Sequence, residues 1–303
     1  MKKVLLLASI AIHFSSTSNA QNDVNYTHYM FANPTYNPAA VATKHLEAAV
    51  VVRRQWVGLN GSPFSQLLNI NSYVQKLKGG VGLSIINDKL GYESTLIARL
   101  SYAPQFKLGY ANYINVGISV GFMSRSLNTS KLVFENPSEA FAQSYPTYKG
   151  GLDLGAGVEW NYQFLKIGVG GFHLDKNVIK SNFYQVPKHL YSYISYRWQV
   201  SSTIVLQPSI TVRSSLFTTQ PEASLLAYFD DVFWVGAGFR HQDAMSGLLG
   251  FKIKKKYKIG YSYDYNYDTT KKISGGSHEF YLMADFGNIN PAKRAYKTPR
   301  LLN

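Results

Sequence analysis

Turn signals divide this chain into segments of about ten residues, the length a tilted strand needs to cross a bilayer, and the connections between segments alternate in length. Strands are expected near 46 to 56, 64 to 74, 79 to 87, 93 to 103, 112 to 124, 150 to 160, 164 to 174, 188 to 198, 203 to 213, 220 to 229, 232 to 241, 246 to 254, 257 to 266 and 277 to 286. The odd-numbered connections include every long one, with Arg125 to Lys149, Asp175 to Pro187 and Tyr267 to Gly276 the largest, while the even ones shrink to turns such as Asp230-Asp231. An outer-membrane barrel with an even number of strands sets short periplasmic turns against longer outer loops, with both termini inside. A soluble sandwich or propeller has no reason to sort its loops. The expected fold is therefore all-β: a closed antiparallel transmembrane β-barrel of about fourteen strands.

The faces agree with that fold. In Tyr113 to Phe122 one side carries Ile114, Val116, Ile118, Val120 and Phe122 and the other Asn115, Gly117, Ser119 and Gly121. Leu152 to Trp160 and Tyr257 to Tyr265 alternate in the same way, apolar or aromatic against Asp153, Gly155, Gly157 and Glu159 in the first and Lys258, Gly260, Ser262 and Asp264 in the second. The inward set collects charges of both signs: Arg99, Asp153, Glu159, Arg213, Arg240, Lys252, Asp264, Glu279 and Asp285. Such charges ordinarily pair with one another and with water as a polar filling.

Residues 1 to 20 read as an export signal, with Lys2 and Lys3 before the apolar Val4 to Ile12 and small residues at Ser18-Asn19-Ala20, so the mature chain is expected to begin at Gln21. The sequence holds no cysteine, which removes a lipid attachment site, a disulfide framework and thiolate metal sites. Beyond the signal no apolar run is long enough for a transmembrane helix. The formal charge of +14 points to anionic outer-membrane glycolipid or an acidic protein partner. Nucleic acid is excluded by the export signal and by the lack of any binding motif for it.

Between the signal and the first strand stands an irregular segment, residues 21–45, whose core reads YMFANPTYNPAA. Two Asn-Pro steps bar it from an interior strand, since each proline lacks an amide proton, and from a continuous helix. The barrel, residues 46–286, has a glycine-rich inner wall with room to spare. The expectation is a partial plug that folds up into the lumen, packed into or across the periplasmic mouth, with Tyr29, Phe31, Pro34, Tyr36 and Pro38 as its candidate residues and its aromatics filling the space beside Gly117, Gly121, Gly155 and Gly157.

Several blocks carry a resemblance that periodicity cannot supply. Tyr29-Met30-Phe31 with Asn37-Pro38-Ala39, Arg53-Arg54-Gln55-Trp56-Val57-Gly58 with Gly61-Ser62-Pro63, Gly80-Val81-Gly82-Leu83 with Asn87-Asp88, and Tyr263-Asp264 with Gly275-Gly276-Ser277-His278-Glu279 resemble the PorP/SprF family of outer-membrane proteins. The resemblance spans nearly the whole mature chain. It implies a barrel of the type IX secretion system, beside a periplasmic lipoprotein ring, helping to deliver or anchor secreted or surface cargo, in some members for gliding motility. One departure is that residues 287–303 continue past the last strand, where a barrel commonly stops at its terminal aromatic.

Two motifs are candidates for partner binding. Arg53, Arg54, Gln55 and Trp56 sit near the outer end of the first strand, where the functional reading is a partner or glycolipid contact with Trp56 as interface anchor, and the structural one a snorkelling arginine beside a luminal salt bridge. Lys293, Arg294, Lys297 and Arg300 make residues 287–303 a basic tail expected on the periplasmic side, either disordered or docked on the secretion machinery. His278-Glu279 lacks a second histidine at zinc-protease spacing, the other histidines are scattered, and no nucleophile elbow or P-loop occurs. No catalytic, metal or cofactor site is therefore expected. The function read from the sequence is a non-enzymatic component of the secretion system, with a general porin for small solutes as the alternative.

Overall fold

The computed structural model describes residues 23–43, 45–128, 150–175, 186–267 and 273–287. Within them the chain forms β1 (Glu47–Arg54), β2 (Phe64–Val74), β3 (Gly79–Leu90), β4 (Glu93–Gly109), β5 (Asn112–Leu127), β6 (Gly151–Tyr162), β7 (Leu165–Phe172), β8 (His189–Tyr196), β9 (Trp198–Gln199), β10 (Ile204–Ser214), β11 (Thr219–Phe229), β12 (Phe233–Arg240), β13 (Ala244–Ile253), β14 (Tyr257–Asn266) and β15 (Ser277–Asp285). The two-residue β9 pairs with β10 as β8 does, so β8 and β9 make one stave and the barrel has fourteen. Every neighbour is antiparallel, and β1 closes the ring on β15 from Glu47↔Asp285 to Arg54↔His278. Closure removes the unpaired edges that an open sheet would expose.

The expected strands are all present, and the main difference lies in β4 and β5, which run longer than expected. Pro104, which cannot donate to a ladder, lies inside β4. The β4–β5 pairing passes from Tyr102↔Ile118 to Gln105↔Asn115 without Ala103 and Pro104, then carries on to Gly109↔Asn112. The turns at Asp230-Asp231 and Lys254-Lys255 place both central residues at positive φ, the hairpin geometry that matches strand twist.

The wall is two-faced, as alternation requires. Val116, Ile118, Val120 and Phe122 face outward and are exposed, while Asn115 and Ser119 between them are buried. Exposed apolar side chains all round the barrel form the surface that lipid covers. The inward charges Arg99, Asp153, Glu159, Arg213, Arg240, Asp264 and Glu279 are all buried, whereas Lys252 and Asp285, near the other end, are only partly so.

Connections 55–63, 91–92, 128–150, 173–188, 215–218, 241–243 and 267–276 share one end, the loop end; 75–78, 110–111, 163–164, 200–203, 230–232 and 254–256 share the other, the turn end. By the rule for such barrels the loop end is the outer one. Residues 1–20, most of the 125–149 connection and the tail residues Lys293, Arg294, Lys297 and Arg300 lie outside the described residues.

Residues 23–43 form a strap inside the barrel. Three short 3-10 turns, Tyr29–Phe31, Asn33–Thr35 and Pro38–Val41, replace the strand and helix that the prolines forbid. Each proline sits in the first two positions of its turn, where a missing amide proton costs nothing. The Asn37 side chain caps the third turn by accepting from the Ala39 amide at 2.9 Å. The strap runs through the lumen, starting near the loop end beside His173 and reaching the turn end at β1.

Candidate functional site

Three groups of contacts hold the strap, each using a different stretch of wall. Near the loop end the wall supplies a chain of ion pairs. Arg53 Nη2 donates to Asp264 Oδ2 at 2.6 Å and Arg53 Nη1 to Glu279 Oε2 at 3.2 Å. Arg240 bridges onward to Glu222 Oε2 at 2.9 Å, and Arg213 meets the same oxygen at 2.7 Å. These side chains come from β1, β15, β14, β12, β11 and β10, and all are essentially dry. Charges so buried are stable only when paired, and here they pair mostly within the wall itself.

The strap docks on this chain with neutral donors. The Thr27 and His28 amides donate to the two Glu279 oxygens at 2.9 and 2.8 Å, and Thr27 Oγ1 donates to Asp264 Oδ1 at 2.9 Å. His28 Nδ1 stands 2.7 Å from Glu279 Oε1, with its ring stacked on Tyr281. Below it Phe31 packs between Tyr281 and Trp234. The rings of Tyr29 and Tyr36 both stand by the Arg213 guanidinium, 5.4 and 5.3 Å away, the separation at which an aromatic face attracts a cation.

The second group is steric. A Cβ at Gly117 would overlap the Ala39 amide and Pro38 carbonyl carbon, one at Gly80 would overlap Ala42, and one at Gly170 would come within 2.6 Å of the Tyr36 carbonyl oxygen. Asn37 fits against Gly157 and donates through Nδ2 to the Val158 carbonyl at 3.0 Å. The glycines thus admit the strap's backbone, where aromatics were expected. Gly121 and Gly155 face wall residues instead, Arg99 in one case and Ser119 and Phe172 in the other.

The third group surrounds Asp23, and sequence reasoning missed it. His173, just after β7, and His189, at the start of β8, converge on this carboxylate: His173 Nε2 is 3.2 Å from Oδ2 and His189 Nδ1 3.8 Å from Oδ1. Tyr191 Oη donates to Oδ2 at 2.7 Å, and the Asp23 amide donates to His189 Nε2 at 3.2 Å. Burial pushes the Asp23 carboxyl up, but His189 and His173 outweigh it and hold it well below the usual carboxylate range. Burial pulls the His173 imidazole down, and Asp23 and Asp153 outweigh that and raise it to about 9. No sequence spacing signals the cluster, since its members are 150 and 166 residues apart.

The first motif divides. Arg53 is 1% exposed and committed to the luminal ion pairs, while Arg54 is exposed, its guanidinium 5.9 Å from the Phe64 ring. Gln55 and Trp56 line a cavity of about 390 Å3 at the loop end, together with Asp23, Asp88, Arg125 and Tyr191. Trp56, expected as an interface anchor, stands half-buried in the wall of this cavity. Its φ of 51° breaks the strand alternation that would have aimed it at lipid. A second cavity of about 250 Å3 opens at the turn end among Asn33, Lys166, Arg197, Lys252 and Lys258.

Among known proteins, the family model for type IX secretion system membrane protein PorP/SprF matches residues 18–283. No curated protein matches the chain. Two solved structures share the fold: the CymD monoaromatic hydrocarbon channel, at 11% identity and a TM-score of 0.52 over 90% of this chain and 96% of its own, and the Ralstonia pickettii toluene transporter TbuX, at 12% identity and 0.52 over 84% and 93%. At such identity the likeness is one of architecture.

Proposed function

Because the chain belongs to the PorP/SprF family of type IX secretion system membrane proteins, we propose that it is a non-enzymatic outer-membrane component that binds secretion-machinery or cargo proteins, serving secretion or surface anchoring of the kind used in gliding motility. The observation that carries this reading is the strap. A pore for passive diffusion needs a continuous aqueous path, and the two cavities lie at opposite ends with strap residues lining both. A lumen partly occupied by its own chain suits a protein whose business is with partners at its mouths. The periplasmic lipoprotein ring is the expected neighbour at the turn end, and glycolipid and surface cargo at the loop end.

Two measurements test this. Native complexes extracted from membranes should contain ring or cargo proteins. In planar bilayers the intact barrel should conduct poorly, and removal of residues 22–40 should raise its conductance. If the intact barrel conducts steadily and no secretion protein accompanies it, the porin reading replaces this one.

A further inference from the structure

The cluster around Asp23 has the makings of something other than an ion pair. We propose that Asp23, His173 and His189 form a binding site for a divalent transition metal of the zinc type, which staples the start of the strap to the barrel wall. The three residues come from three separate parts of the chain, yet their ligand atoms lie within 4.8 Å of one another.

The spacing suits a tetrahedral ion. Zinc bonds of about 2.1 Å to nitrogen and oxygen put neighbouring ligand atoms about 3.4 Å apart. Asp23 Oδ1 is 3.3 Å from His173 Nε2 and 3.8 Å from His189 Nδ1, and no two of the ligand atoms are more than 4.8 Å apart, so an ion fits once the two imidazoles draw together around that oxygen. Two imidazoles and one carboxylate suit zinc, cobalt, nickel or copper, and poorly suit calcium or magnesium, which prefer oxygen. The fourth position is left to water, on the side of the 390 Å3 cavity that Asp23 and His189 line.

The surroundings support the ligands. Asp153 Oδ1 stands 3.1 Å from His173 Nδ1 and also accepts from the His173 amide at 3.1 Å. A carboxylate within reach of one ring nitrogen favours the tautomer that leaves the other, Nε2, to a metal. Asp153 is in turn held by Arg99 Nε at 2.6 Å, and Tyr191 steadies Asp23.

Two features oppose binding and limit its strength. Arg99 Nη2 lies 3.4 Å from His173 Nε2, so a guanidinium faces the ion. Asp153 and the Phe172 ring, 4.0 Å from the guanidinium carbon, hold that side chain in place, and with neutral imidazoles Asp23, Asp153 and Arg99 leave one net negative charge. Binding through His189 Nδ1 also requires its Nε2 to carry the proton, which gives up the hydrogen bond from the Asp23 amide. Metal uptake therefore displaces protons, as it does wherever histidines are ligands.

The test uses full-length protein in detergent, stripped of metal and titrated with cobalt. The expected result is visible absorption of four-coordinate cobalt, saturating at a single site and displaced by zinc but not by calcium. Asp23→Asn and His173→Ala should each weaken cobalt binding by about tenfold or more, and His241→Ala, in an exposed turn at the same end, should leave it unchanged. Heat-modifiable gel mobility reports whether each barrel is folded. Asp23 lies on the strap, outside the ladders of the wall, so Asp23→Asn decides the matter if the histidine variant misfolds. No cobalt signal in the unmutated protein, or an unchanged one in Asp23→Asn, overturns the proposal.

Discussion

The peptide nitrogen of Ala39 occupies the space in which a side chain at Gly117 would begin. The obstruction is backbone against backbone, so neither partner can relieve it by a rotamer change. Gly117→Val should therefore expel the strap from that stretch of wall, with the 1 to 3 kcal/mol or so that overpacking costs falling on the strap's seat. Conductance in planar bilayers should rise toward that of the protein lacking residues 22–40. Gly247→Val, at a position with open space around it, should conduct as the unmutated barrel does. Equal conductance in the two variants would show that the strap does not depend on this contact.

Removing Arg53 should destabilise the barrel far more than removing its neighbour. Arg53→Ala takes its guanidinium from the buried carboxylates of Asp264 and Glu279 and leaves Arg240 and the strap's donors as their remaining partners; breaking a buried pair costs up to about 3 to 5 kcal/mol. Arg54→Ala, on the exposed side of the same strand, should stay within about 0.5 kcal/mol. Urea unfolding in detergent, followed by gel mobility, compares them. Similar midpoints for the two variants would contradict the assignment of faces.

Protease added to intact cells should cut first between Arg125 and Lys149, the connection expected to be longest at the loop end. Cutting there only after the outer membrane is permeabilised would invert the topology.

Truncation after Asn288 removes Lys293, Arg294, Lys297 and Arg300 and should leave the barrel assembled while weakening its capture of periplasmic ring proteins. Attraction between exposed charges is screened by salt. Capture by the full chain should accordingly fall as salt rises and approach that of the truncated one. Full capture by the truncated protein at low salt would free the tail of this role.

How much of this was legible in the sequence varied with the kind of contact. The staves were, because alternation such as Ile114, Val116, Ile118 against Asn115, Gly117, Ser119 is a local signal. The luminal charges were legible as a set for the same reason. Their partners were not: which of Asp264, Glu279 and Glu222 faces Arg53 depends on barrel closure, which no local pattern records. The setting of Trp56 was not legible, because its left-handed backbone cannot be seen in residue type. The path of the strap was half legible. Pro34 and Pro38 excluded strand and helix, but the fit of Asn37 to Gly157, or of Asp23 to His173, joins residues far apart in the chain.

Thr27 and His28 stand near the beginning of the described chain, yet they bond to Glu279 and Asp264, on the last two staves. Contacts of such long range are the last to form when a chain organises itself. The strap has no complete berth until β15 has zipped onto β1, so an unfinished barrel leaves its leading segment loose and a finished one gathers it in. A segment that precedes every stave thus acts as a completion mark for the last of them. A stalled assembly would display an untucked, protease-sensitive leading end toward the periplasm, and a quality-control protease there would find in it a ready flag for disposal.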